Sequence, residues 1–155
     1  MKYKITAYQT ETSLERMTFA SRVAEFSRHT EGLVPVGPEA LLTRPLMVVA
    51  ELAGTPGIIG HVSLQSAQVD PMGENWQQLS TLAVFPGFTG NGLARRLVEI
   101  ATSMAHRQGN HVYAYGNPGS RSAFESFGYT EEPIFNRIGL VKRCGLLALA
   151  ETNVA

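Results

Sequence analysis

The stretch Leu82-Ala83-Val84-Phe85-Pro86-Gly87-Phe88-Thr89-Gly90-Asn91-Gly92-Leu93-Ala94-Arg95-Arg96-Leu97 carries the residues with the clearest chemical meaning. It reads as a strand, a glycine turn and the start of a helix. Glycines let the backbone come close to a ligand, and the first amides of a helix lack intrahelical acceptors where the macrodipole is positive. Phosphate oxygens can be bound at such a place by the backbone alone. Arg95 and Arg96 add cations near the same end.

Spacing sorts the phosphate sites this turn could be. A P-loop requires Gly-x-x-x-x-Gly-Lys-Ser/Thr. Gly87 and Gly92 have that spacing, but Leu93 and Ala94 stand where the lysine and hydroxyl are needed. A dinucleotide fingerprint built on Gly90 and Gly92 requires a third glycine, and Arg95 occupies its place. A glycine turn that serves packing alone is the other reading.

The elements around the turn predict an α+β fold in one domain spanning residues 1–155. Tyr3 to Tyr8 has the β-branched and aromatic content of an opening strand. Thr12 or Ser13 caps a helix to about His29, with Leu14, Met17, Val23, Ala24 and Phe26 near helical spacing. Gly32 to Pro38 forms a loop, followed by a short helix from Glu39 to Leu42. Leu46 to Leu52 and Ile58 to Ser66 read as a hairpin. The polar run Gln68 to Asn75 reads as a loop, and Trp76 to Phe85 as a third strand, which suggests antiparallel pairing in series. After Gly92 the apolar stripe Leu93, Leu97, Ile100, Ala101, Met104 and Ala105 marks a helix closed by Gly109. A strand from Val112 to Tyr115, a helix from Ser120 to Phe127, and strands from Tyr129 to Glu132 and Leu140 to Ala150 complete the pattern.

Composition removes several classes of function. Thirteen basic residues balance thirteen acidic ones, so the global positive field of a nucleic-acid binder is missing. Cys144 is the single cysteine, which rules out an intramolecular disulfide and reads as a small apolar residue in the last strand. Met1 to Thr10 has no signal-peptide core, and no run approaches the roughly 20 apolar residues of a membrane span. A cytoplasmic location is expected, with no nucleic-acid, membrane or metal partner.

The glycine segment resembles the GNAT superfamily of acyl-CoA-dependent N-acyltransferases. Their pattern of a strand ending in Val-x-Pro, then Arg/Gln-x-x-Gly-x-Gly/Ala, maps onto Val84, Pro86, Thr89, Gly92 and Ala94. Thr89 departs from the usual Arg or Gln. A second segment, Asn117-Pro118-Gly119-Ser120 through Gly128-Tyr129, has the landmarks of the family's Asn-x-x-Ala block, with Ser120 at the Ala position.

The resemblance implies a mostly antiparallel, twisted mixed sheet flanked by helices, splayed at the CoA site. It also implies an N-acetyltransferase that uses acetyl-CoA, in which an amine of a small molecule or protein attacks the thioester directly. The implied cofactor contacts are Leu82, Ala83, Val84, Thr89, Gly90, Asn91, Gly92, Leu93, Ala94, Arg95, Asn117 and Phe124. An amide near Leu82 would serve the oxyanion.

Proton handling departs from the family. The tyrosine that protonates the leaving thiolate maps to Phe124, and the strand positions of the usual base map to Gln78 and Ser80. Two readings stay open. In one, a water chain leads to His61, which shares a polar strand face with Ser63 and Gln65; His61 and Ser80 are then the candidate catalytic residues. In the other, the domain binds acyl-CoA with little turnover. His61 also reads as a hydrogen-bonded residue of a half-exposed sheet. Tyr113 and Tyr115 read as packing residues, while Glu31, Trp76 and the two long loops are candidates for shaping the acceptor site. A homodimer covering the apolar residues from Leu140 onward is expected.

Overall fold

The computed structural model describes residues 3–9, 14–29, 36–54, 57–90, 92–116 and 119–145. In chain order they form strand β1 (Tyr3–Tyr8), helices α1 (Leu14–His29) and α2 (Pro38–Leu42), and strands β2 (Leu46–Leu52), β3 (Ile58–Leu64), β4 (Gln68–Val69) and β5 (Asn75–Val84). Helix α3 (Leu93–Arg107), strand β6 (His111–Ala114), helix α4 (Arg121–Ser126) and strands β7 (Thr130–Ile134) and β8 (Arg137–Lys142) follow. The main sheet runs β1-β2-β3-β5-β6-β8-β7, with β4 paired to β5. All pairs are antiparallel except β5 with β6.

Strand β2 is a near-continuous apolar run because both of its faces are covered. Leu46, Val48 and Ala50 face the α3 side with Val62, Leu64, Leu93 and Leu97. Met47 and Val49 face the other side with Ala20, Val23, Ala24 and Leu41 from α1 and α2. Helix α3 buries the stripe Leu93, Leu97, Val98, Ala101, Thr102 and Ala105, and its last turn carries Arg107, where a cation suits the carbonyl end. Gly60 lets α3 lie close on β3, since a Cβ there would meet Leu97 Cδ1 at 3.1 Å and Leu93 Cδ2 at 3.3 Å.

Several expectations need correction. The run Gln68 to Asn75 contains β4 and a tight turn rather than a loop alone. Asp70 makes that turn: its carboxylate accepts from the amides of Met72 and Glu74 and from Trp76 Nε1, each at 2.9 Å. Met17 is exposed instead of buried on α1. The last strand starts at Arg137 and stops at Lys142, with Cys144 just beyond it. Leu140 and Val141 are buried within the chain's own core. Thr12, Ser13, Glu31, the loop residues 30–35 and the segment 146–150 lie outside the described residues.

Candidate functional site

The cradle forms where β5 meets α3. Pro86–Phe88 makes one 3-10 turn, closed by the amide of Phe88 donating to Phe85 O at 2.8 Å. Gly92 then caps α3 in the left-handed region, with φ 75° and ψ 7°, a conformation that suits glycine. The Arg96 amide donates to Gly92 O at 3.0 Å, so the amides of Leu93, Ala94 and Arg95 stand before the first helical bond. The Leu93 side chain is buried, leaving its backbone as the part that can meet a ligand, whereas Thr89, Gly90 and Arg95 are exposed.

Beside the cradle the sheet opens. Strand β6 pairs with β5 only from Trp76 to Gln78, so Leu79 to Val84 have no β6 partner among the described residues. On the other edge, the Phe85 amide donates to Ile59 O at 2.7 Å. Antiparallel alternation then turns the Ala83 backbone toward β3 and the Leu82 and Val84 amides toward the gap. Ala83 is thus turned from the opening, and Leu82 and Val84 face it.

A β-bulge lies at the opening. His61 pairs with Ala83 and Ser63 with Ser80, so Thr81 and Leu82 together oppose Val62. Thr81 has φ 57°, a strained conformation for a β-branched residue. Arg44 Nη1 donates to Thr81 Oγ1 at 2.7 Å and to Ser63 Oγ at 2.5 Å. Ser63 Oγ donates to Ser80 O at 3.2 Å, and His61 Nδ1 donates to Thr81 O at 3.0 Å. These five residues form a polar island on the α1 and α2 side of the sheet.

His61 is fully buried rather than half-exposed. Desolvation, opposed by its bond to Thr81 and reinforced by the Arg44 charge, lowers its pKa to about 3. The bond to Thr81 O places the proton on Nδ1 and leaves Nε2 as a bare acceptor with no hydrogen-bond partner among the described residues. Ser80 is part-buried, its hydroxyl 3.5 Å from Ser63 Oγ. Phe124 is buried with its ring 5.1 Å from that of Tyr129 and beneath Gly116. Asn91 and Asn117 lie outside the described residues.

Other candidates take structural roles. Trp76 is buried among Tyr113, Ile134 and Val141, and Tyr115 donates to Ile134 O at 2.9 Å. Tyr129 and Thr102 share a buried hydrogen bond of 2.5 Å, and burial raises the Tyr129 pKa. Burial also raises the Cys144 pKa, which suits a packed thiol rather than a nucleophile. Arg44 and Thr81 escaped sequence reasoning, because their contacts join residues 19 and 37 apart in the chain.

A splayed mixed sheet with a left-handed glycine opening its central helix defines an acyltransferase-type fold. Residues 12–129 match the model of the acetyltransferase (GNAT) family. The chain belongs to that family. No curated protein matches it in sequence. Among solved structures it is similar to the GNAT N-acetyltransferase YhbS of Escherichia coli in complex with CoA, at 20% identity and TM-score 0.63, covering 95% of this chain and 84% of that one. It is also similar to a GNAT acetyltransferase of Brucella melitensis in complex with acetyl-CoA, at 15% identity and TM-score 0.64, covering 92% and 89%. A predicted acetyltransferase of Clostridium acetobutylicum with acetyl-CoA gives 12% identity and TM-score 0.66, covering 88% and 95%. Among the described residues no helix is long and apolar enough to cross a membrane, and no group of His, Cys, Asp and Glu is placed to hold a metal ion.

Proposed function

We propose that this single domain transfers an acetyl group from acetyl-CoA to a primary amine, by direct attack of the neutral amine on the thioester. The observation that carries this reading is the edge of β5 left without a strand partner among the described residues, where the Leu82 and Val84 amides face the gap next to the open start of α3. The α3 amides suit the pyrophosphate of CoA. The pantetheine arm would run along β5 in place of a neighbouring strand, and the Leu82 amide would meet the thioester oxygen as it gains charge. Cofactor contacts are assigned to Leu82, Val84, Thr89, Gly90, Asn91, Gly92, Leu93, Ala94, Arg95 and Asn117. The acceptor enters on the polar-island side, and the reaction is placed in the cytoplasm.

The island holds no group with a pKa suited to proton transfer near neutrality. Its neutral hydroxyls and the amide cradle act by positioning and by charge stabilisation, and the proton leaves through water. Calorimetry with CoA, followed by thiol release across a panel of small amines and peptides, tests the reading. Binding in the micromolar range with amine-dependent release is expected. Absence of CoA binding would sink it. Binding without any accelerating amine would favour the second reading, an acyl-CoA-binding module, which the buried Phe124 at the usual acid position supports.

A further inference from the structure

Side chains hold two carbonyls and one hydroxyl of the bulge in β5. A planar peptide ties the direction of its N–H to that of its C=O. The peptide between Thr81 and Leu82 has its carbonyl held by His61 Nδ1 at 3.0 Å, from the α1 and α2 face of the sheet. Its N–H, that of Leu82, therefore points the opposite way, away from His61 and the island. The preceding peptide is held in the same manner, with Ser63 Oγ donating to Ser80 O at 3.2 Å. Arg44 fastens the residue between them by donating to Thr81 Oγ1 while it also donates to Ser63 Oγ.

Such holding is needed because Thr81 sits at φ 57°. A β-branched residue there is strained by about 1–3 kcal/mol and persists only where its surroundings over-determine it. His61 and Ser63 are both fully buried, so neither donor is exchanged for water. A hydrogen bond accepted at a carbonyl also polarises the attached N–H and strengthens it as a donor.

We infer that Arg44, His61 and Ser63 are positioning residues that clamp Thr81 and thereby aim the Leu82 amide at the reacting carbonyl. This deepens the transferase reading and rests on it for the word "reacting". It gives His61 a role different from that of a base. The Nδ1–H donor is the working part of the ring, and an asparagine amide can supply a donor from nearly the same place.

The test compares His61→Met, His61→Asn and Arg44→Met in the full chain. The backbone amide resonance of Leu82 is followed by NMR without ligand, and kcat and CoA affinity are measured beside it. In H61M and R44M the Leu82 resonance shifts and kcat falls by about 10- to 100-fold, the scale of a mis-set oxyanion donor. CoA affinity changes by less than about threefold, because the cradle amides are untouched. H61N recovers most of the resonance position and of kcat. A Leu82 resonance that stays in place in H61M and R44M overturns the clamp, and so does an H61N chain as slow as H61M, the result a base would give. If the wild-type chain turns over no amine, the transferase reading falls while the Leu82 resonance still decides the clamp.

Discussion

Replacing Gly92 by alanine isolates the left-handed start of α3 from every other feature of the cradle. The residue has φ 75°, and a Cβ built on it meets no atom within 4 Å, so the cost of G92A is conformational and not steric. A left-handed L-residue costs roughly 1–2 kcal/mol, and the stiffer unfolded chain returns about 0.4–1 kcal/mol. The net loss is therefore about 1 kcal/mol, which for a chain of 155 residues is about 2–4 °C in Tm. Gly87 provides the control. It also has open space around its Cβ but no positive φ, so G87A keeps only the entropic gain. Urea unfolding should separate the two variants by about 1.5 kcal/mol, with G92A the weaker. In calorimetry G92A should bind CoA on the order of tenfold less tightly, a change of about 1.4 kcal/mol, because the amides after Gly92 are re-aimed. Equal unfolding midpoints for the two variants would refute the reasoning.

Four further outcomes are expected. The His61 pKa is lowered from 6.5 to about 3, so between those values the unfolded chain takes up a proton that the folded chain refuses. Stability should then fall as pH drops below about 6.5, by on the order of 1 kcal/mol per pH unit, and unfolding curves for H61N should lack that part of the slope. Tyr129→Phe strands the buried Thr102 hydroxyl and should cost about 1–2 kcal/mol in urea unfolding. In the wild type, the raised Tyr129 pKa keeps one phenol from ionising in an alkaline absorbance titration until the chain unfolds. Gly60→Ala pushes on Leu93 and Leu97, both buried in α3, and should cost about 1–3 kcal/mol by thermal unfolding while weakening CoA binding.

The sequence carried most of the fold because its elements are set by local patterns. Tyr3–Tyr8 and Leu46–Leu52 were bounded correctly by their apolar content and the turns beside them, and Gly109 ends α3 with φ 79° as a C-terminal glycine should. The cradle was legible for the same reason, since a glycine turn and the helix start are neighbours in the chain. Strand β4 was hidden because a polar, Asp-containing run resembles a loop until Asp70 is seen to gather three donors. The burial of His61 was hidden because it depends on what α1 and α2 place over the sheet. Arg44 was hidden because nothing near it in sequence marks it, and its partners arrive from two other strands.

The bulge did leave a trace in the sequence, and the trace explains why chemistry is possible on this strand. In a regular strand residues two apart share a face. Leu79, Leu82 and Val84 all pack on the α3 side, at spacings of three and then two. An odd step between two core residues requires one extra residue, and here it lies in the pair Thr81 and Leu82, which together oppose Val62 of β3. Without that residue, either Leu79 or the pair Leu82 and Val84 would leave the core for the α1 side. With it, the strand keeps its apolar anchors and bends where β6 stops pairing. The core thus enforces the distortion from one face, through the buried Leu79 and the half-buried Leu82 and Val84. The polar island regulates its shape from the other, through the two carbonyls and one hydroxyl that flank Thr81. The cost of Thr81 at φ 57° is then offset by two independent sets of contacts. Filling the bulge by deleting Thr81 should therefore unfold the chain outright rather than give a folded protein with a weak site, and circular dichroism of that deletion separates the two results.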